Sequence, residues 1–246
     1  MPKFFVDPSQ IVDGRVEIRG NDASHISFSL RMAKGDHIFV CDGQETEYEC
    51  ALAEFLPDCV IADIISRRTA SSESPLKIYL YQALPKGDKL ETVIQKAVEC
   101  GVFEIIPFES ERCVVKAKAD AEERKTIRRN RIAEEAAKQS GRGYVPKVSP
   151  TLSFDAALNG AALADLSLIC YEDETGMTLK QALVAAKQEK IASISLMIGS
   201  EGGFSAKEVE KAKNVGILAV SLGKRILRTE TAPIFALGGI SYEFEL

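Results

Sequence analysis

The chain has 246 residues, a formal net charge of −5, 46% hydrophobic and 27% charged residues. That length suits one large or two modest domains with most of the apolar surface buried on folding. No run approaches the ~20 continuous apolar residues that span a bilayer, and the start, Met1-Pro2-Lys3-Phe4-Phe5-Val6-Asp7, meets an acid too early for a signal peptide. A cytoplasmic protein without membrane partners is expected.

The first 70 residues read as β-rich, with strands expected at Arg15–Ile18, His37–Cys41, Glu47–Leu52 and Cys59–Ile65. Turn signals separate them: Asp13-Gly14, Gly20-Asn21-Asp22, Lys34-Gly35-Asp36 and Asp42-Gly43. One short helix fits 22–32, and the whole suggests a small barrel. The polar stretch Arg67–Pro75 suits a linker.

From residue 76 strands and helices alternate. Strands are expected at 76–83, 103–108, 166–171, 193–198 and 217–221, and helices at 88–100, 120–139, 177–189, 205–214 and 230–243. That order predicts a parallel α/β sheet with helices on both faces. Asp88-Lys89-Leu90-Glu91 and Ser205-Ala206-Lys207-Glu208 read as capping boxes or close relatives, and Gly101 as a helix-ending C′ residue.

Six cysteines, Cys41, Cys50, Cys59, Cys100, Cys113 and Cys170, form no C-x-x-C pair, and the two histidines are His25 and His37. The spacings fit reduced thiols, with no metal expected. Charge is uneven. Residues 112–147 hold eleven Lys or Arg against five acids, so this segment is +6 and the remainder −11. Read alone, such a stripe is either a solvated helix laced with Glu/Lys pairs or an electrostatic footprint for RNA.

Three strand-to-helix loops carry the chemistry. Ile198-Gly199-Ser200-Glu201-Gly202-Gly203-Phe204-Ser205 follows a strand, and glycines there admit a ligand or simply a tight turn. It is neither a P-loop nor a G-x-G-x-x-G fingerprint, which argues against a phosphate-type nucleotide site. In Ser221–Pro233, Ile226 and Leu227 fit either an adenine ring or the core, and Gly223 admits a close backbone. Ala83-Leu84-Pro85-Lys86-Gly87-Asp88-Lys89 is the third. Loops at one end of one sheet can converge on one pocket.

The segments Leu84–Lys89, Glu109–Lys116, Glu135–Arg142 with Val145-Pro146, the glycine loop and Leu222–Ala232 together resemble the bacterial small-subunit (16S) ribosomal RNA uridine-N3 methyltransferases, the RsmE family of the SPOUT class. Leu30-Arg31 and Lys34-Gly35-Asp36 extend the resemblance to the N-terminal region, so it covers nearly the whole chain. It implies an α/β fold in two domains: a PUA-like β-barrel RNA-binding domain over 1–70, and over 75–246 a SPOUT methyltransferase domain whose parallel sheet carries a deep trefoil knot. It further implies a homodimer and S-adenosylmethionine as cofactor, held by Leu84, Gly199, Glu201, Gly202, Leu222, Gly223, Ile226, Leu227 and Arg228. One departure is Ser200, where the family's I-G-P-E-G-G loop has proline; φ is freed there.

Methyl transfer to uracil N3 requires loss of a weakly held proton. Both histidines fall outside the matched motifs, so arginine is expected to stabilise charge building on the uracil oxygens. The candidates are Arg112 and Arg142, with Gln139 as a hydrogen-bonding partner. Glu201 and Glu230 stand behind them as a base or as cofactor holders, and structural pairing is the competing reading for each. A paired N3 is blocked, so the target is single-stranded or flipped. Arg31, Arg128, Arg129 and Arg131 are expected to contact phosphates of 16S rRNA or of the assembled small subunit. Two other readings remain at this point: a SPOUT enzyme acting on transfer RNA, and a non-catalytic RNA-binding assembly factor.

Overall fold

The computed structural model describes residues 1–117 and 119–246, so Lys118 of the basic stripe lies outside the described residues. The chain divides into two compact units, one of residues 1–73 with 137–145, the other of 74–136 with 146–246.

The first unit is a six-stranded sheet. Its strands are β1 (Lys3–Phe5), β2 (Ile11–Val12), β3 (Arg15–Arg19), β4 (His37–Cys41), β5 (Thr46–Phe55) and β6 (Cys59–Thr69), and the order is β1-β4-β5-β6-β3-β2. All neighbours are antiparallel except β1 and β4. Alternation sets its core: Val16 and Ile18 of β3, Ile38 and Val40 of β4, Cys50 and Leu52 of β5 and Val60 and Ala62 of β6 are all buried together. Register shifts between Glu49 and Cys50 and between Leu52 and Glu54 mark bulges in the β5–β6 pair, which bend and twist a ribbon. Instead of the single helix expected over 22–32, α1 (Gly20–Ser24) gives way to a π-turn over His25–Ser29, closed by Leu30 N–H donating to the His25 carbonyl at 2.9 Å.

Residues 137–145 belong to this unit, which the expected boundary after residue 70 did not anticipate. The reason is a buried ion pair. Arg142 donates to Glu73 at 2.6 Å, and the same carboxylate accepts the Gly143 N–H at 2.8 Å. Both side chains are under a tenth exposed. A Cβ on Gly143 would lie 2.1 Å from Ala70 Cβ, so this segment sits directly on the strand end.

The second unit is a wholly parallel sheet in the order β10-β8-β7-β12-β11-β13, with β9 beside β8. The strands are β7 (Lys77–Ala83), β8 (Glu104–Glu109), β9 (Lys147–Val148), β10 (Leu152–Ser153), β11 (Leu166–Cys170), β12 (Ser193–Ile198) and β13 (Leu218–Val220). Central β7, β11 and β12 read as near-continuous apolar runs because both faces are covered. The helices are α2 (Lys89–Glu99), α3 (Ala119–Ser140), α4 (Phe154–Ala161), α5 (Leu179–Lys187), α6 (Ala206–Asn214) and α7 (Ala232–Phe244). The alternation predicted from residue 76 is present, with α4, β9 and β10 in addition. Gly101 has φ +86°, as a C′ residue should. The expected capping box at Asp88 is absent: Asp88 adopts φ −90°, ψ 10° and makes no side-chain cap. Its carbonyl already accepts from the Glu91 N–H at 3.0 Å, so the turn closes through the backbone. Among the described residues no helix is long and apolar enough to cross a membrane.

Candidate active site

Parallel pairing places the ends of β11, β12 and β13 side by side. The segments that follow them, Cys170–Glu172, Ile198–Gly203 and Ser221–Thr229, wall a cavity of about 530 Å³, joined by Lys89 and Ala232. This is the carboxyl edge of an open parallel sheet, where α/β folds collect ligands, and the volume falls in the usual range for a small-molecule site.

Of the expected cofactor residues, Gly199, Glu201, Gly202, Leu222, Gly223, Ile226, Leu227 and Arg228 line this cavity. Leu84 does not. It is 4% exposed and its N–H donates to the Phe108 carbonyl at 2.9 Å, continuing the β7–β8 ladder into the core. Ile226 settles an ambiguity in the other direction. It is 90% exposed and lines the cavity, so it is not a core residue. The wall also contains Cys170, Tyr171 and Glu172, which sequence reasoning missed. The available signal was that β11 ends at the same edge as β12. Desolvation pushes the Cys170 thiol up to about 12, so it stays neutral.

Two glycines need their lack of a side chain. Gly203 has φ +64°, and a Cβ there would meet a Glu172 carboxylate oxygen at 2.2 Å. Gly223 has φ +113° with open space where a Cβ would stand, so backbone conformation rather than crowding selects it. The loop then enters α6 through a full capping box. Ser205 Oγ accepts the Glu208 N–H at 3.3 Å and Glu208 accepts the Ser205 N–H at 2.9 Å. Ser205 Oγ also donates to Glu111 at 2.7 Å. Ser205→Ala is therefore expected to lower stability by about 1 kcal/mol, as N-cap losses do. Urea denaturation of the variant checks this, and an unchanged midpoint contradicts it.

The electrostatics are organised around Glu201. It accepts the Lys86 N–H at 3.1 Å and the Lys89 ammonium at 3.0 Å, and Lys89 lies 3.3 Å from Glu230 as well. Burial works against the Glu201 carboxylate, but Lys89 and nearby backbone N–H groups outweigh it and hold it below its usual 4.5. It is thus a fixed anion at neutral pH, unsuited to the poised basicity that proton abstraction needs. The cavity wall contains no histidine among the described residues.

The expected catalytic residues are divided between the two units. Arg112 lies beside the glycine loop, with its Nη1 donating to the Gly202 carbonyl at 2.8 Å. Gln139, exposed, and Arg142 fall in the first unit. Arg142 is 5% exposed and committed to Glu73, so the pairing reading holds for its side chain. Among the phosphate candidates Arg31, Arg128 and Arg131 are exposed. Arg129 is 7% exposed and donates to Glu122 at 2.8 Å and Thr151 at 3.2 Å, which corrects its assignment to the surface stripe. Among the described residues no group of three or more His, Cys, Asp or Glu is placed to hold a metal.

A family model described as RNA methyltransferase domain matches residues 72–241. That match, on a parallel sheet with a cavity at its carboxyl edge, sets the class as an RNA methyltransferase. The chain is 36% identical to ribosomal RNA small subunit methyltransferase E of Bacillus subtilis, over 100% of this chain and 98% of that one. It is 32% identical to the protein of the same name from Synechocystis, over 97% and 77%. Among solved structures it resembles ribosomal RNA small subunit methyltransferase E from Neisseria gonorrhoeae bound to S-adenosyl methionine, with 32% identity, a TM-score of 0.85 and coverage of 98% and 97%. The chain belongs to the ribosomal RNA small subunit methyltransferase E family.

Proposed function

We propose that the protein transfers the methyl group of S-adenosylmethionine to N3 of a uridine in 16S ribosomal RNA, acting in the cytoplasm. The observation that carries this reading is the cavity itself. Three adjacent strand ends supply glycine backbone, apolar side chains and charges of both signs in a space of about 530 Å³, in a chain of this family. Those features fit a ligand with an aromatic ring at one end and a zwitterion at the other. When bound, the cofactor supplies a methyl group on a sulfonium, an electrophile that needs positioning rather than activation.

The chain's own residues then have distinct tasks. The Gly199, Gly202 and Gly223 peptides bring main chain close to the cofactor, while Leu222, Ile226 and Leu227 flank its ring. Glu201, braced by Lys89, fixes the glycine loop, and Arg228 contributes charge from the facing loop. Alignment of methyl carbon and N3 of this kind is worth up to ~7–11 kcal/mol. As the N3 proton passes to solvent water, negative charge grows on the uracil oxygens, and Arg112 beside Gly202 would stabilise it. The N3 edge must be free of Watson–Crick pairing, so the uridine is single-stranded or flipped out.

The six-stranded unit is read as a PUA-like RNA-binding module, and the second as a SPOUT domain whose strand-end loops thread a trefoil knot. A homodimer is supported by the outer face of α7, where Phe235 is 48% and Tyr242 73% exposed on a helix whose opposite face is buried through Ala236, Leu237 and Ile240. RNA phosphates would meet Arg31 and the exposed face of α3, where Arg124, Arg128 and Arg131 follow one another at helical spacing. Arg128 pairs with Glu91 and Arg131 with Glu135 only at the surface, where such pairs are worth little. Replacing Arg124, Arg128 and Arg131 together by alanine is expected to reduce the slope of log affinity against log salt by about 2. Filter binding across a salt series measures it, and an unchanged slope removes this face of α3 from the RNA surface. Calorimetric titration of the full chain with S-adenosylmethionine tests the cofactor assignment directly, and the absence of binding overturns it.

A further inference from the structure

Gln82 is the polar exception in a buried central strand. It occupies β7 opposite Ile198 of β12 and is 0% exposed. A buried amide is costly unless its hydrogen bonds are met. Its Nε2 faces three acceptors: the Ala83 carbonyl at 3.0 Å, Thr229 Oγ at 3.1 Å and the Gly199 carbonyl at 3.4 Å. Turning the amide over would set its oxygen against two carbonyls, so chemistry fixes its orientation. Thr229, itself 5% exposed, passes the chain on by donating from Oγ to the Gly199 carbonyl at 2.7 Å. Among the described residues the amide oxygen has no hydrogen-bond partner. One N–H therefore goes to the Ala83 carbonyl at the end of its own strand, and the other is shared at one spot between Thr229 Oγ and the Gly199 carbonyl.

That spot joins two cavity walls. Gly199 begins the loop after β12 and Thr229 ends the loop after β13, and both line the cavity. Holding the Gly199 carbonyl also fixes the next peptide plane, because in a trans peptide the Ser200 N–H points the opposite way from the Gly199 oxygen. Ser200 carries no ring to restrain φ, so the loop depends on its hydrogen bonds to hold this peptide.

We propose that Gln82 is a positioning residue for S-adenosylmethionine: through Thr229 it locks the glycine loop and the 221–229 loop in one mutual register. The inference rests on the functional reading above. Gln82→Leu removes the amide but leaves the Thr229-to-Gly199 bond, so the core survives while the register loosens.

The test is calorimetric titration of the full-length protein with S-adenosylmethionine, alongside ligand-free thermal melting, for wild type, Gln82→Leu, Thr229→Val and the double variant. The expected result is a Kd weakened about tenfold in each single variant, and a double variant little worse than the poorer single, as for groups acting in one chain of bonds. The ligand-free midpoint of Gln82→Leu stays within about 4 °C of wild type, and KM for the cofactor rises more than kcat falls. An unchanged Kd, a fall in midpoint without a loss of affinity, or additive losses in the double variant would overturn the proposal. A wild-type protein that fails to bind S-adenosylmethionine overturns the functional reading and this inference with it; a wild type that binds beside an equally tight Gln82→Leu overturns the inference alone.

Discussion

Gly202→Val is expected to weaken S-adenosylmethionine binding at least ~100-fold, a loss of about 2.7 kcal/mol, without unfolding the protein. The magnitude follows from what surrounds Gly202. A Cβ added there would lie 2.9 Å from Arg112 Cβ and 3.4 Å from the Arg112 carbonyl oxygen. Neither atom is the free end of a flexible side chain, so the loop must move instead of its neighbour. Moving it also breaks the bond from Arg112 Nη1 to the Gly202 carbonyl. The loop is also folded tightly on itself, since a Cβ on Gly199 would stand 3.0 Å from the Gly203 backbone. Valine adds two methyl groups to this crowding, so alanine should give an intermediate loss. Calorimetry and thermal melting on the same samples separate the effects. Normal affinity in Gly202→Val would remove the glycine loop from the cofactor site.

Arg142→Ala is expected to destabilise the first unit by about 3–5 kcal/mol, because it strands a buried carboxylate. Glu73 is held by the Arg142 guanidinium and by the Gly143 and Tyr144 N–H groups. Burial pushes its pKa up, but those donors outweigh burial and leave it below the usual 4.5. A depressed folded-state carboxylate stabilises above its unfolded value and loses that contribution as pH falls through the folded one. The wild-type protein should therefore keep this contribution above pH 4.5 and lose it progressively below. Glu73→Gln should flatten that acid limb. Melting across pH measures both. A midpoint unchanged in Arg142→Ala, together with collapsed methyl transfer, would return Arg142 to catalysis.

The Arg142 result shows where sequence reasoning stops. The motif around Glu135–Arg142 was legible, but its partner Glu73 lies 69 residues away, and no local pattern announces a pair at that separation. Arg129 fails for a similar reason. It sits in a run of basic residues, yet its place on α3 turns it toward Glu122 one side and Thr151 beyond. The alternation of β7 through α7 was readable because apolar runs and turn signals mark its elements, and α5 and α6 open on side-chain caps. Elements without such signals were missed: β9 and β10 are two residues long, and α4, eight residues of mostly small side chains, starts only at the Ser153 cap. Two of the three expected loops wall the cavity, while Ala83–Lys89 reaches it only through Lys89; the Glu172 wall required knowing that β11 lies between β12 and β13. Ile226 shows the reverse: a residue that the sequence left open between ring contact and core is exposed at a cavity.

The most direct test of the central claim is incubation of the purified full-length protein with methyl-labelled S-adenosylmethionine and either isolated small ribosomal subunits or naked 16S RNA, followed by nucleoside analysis. The expected result is label in 3-methyluridine, with the better substrate revealing whether the assembled subunit is needed. Label in another nucleoside, or none with either substrate while the cofactor binds normally, would contradict it.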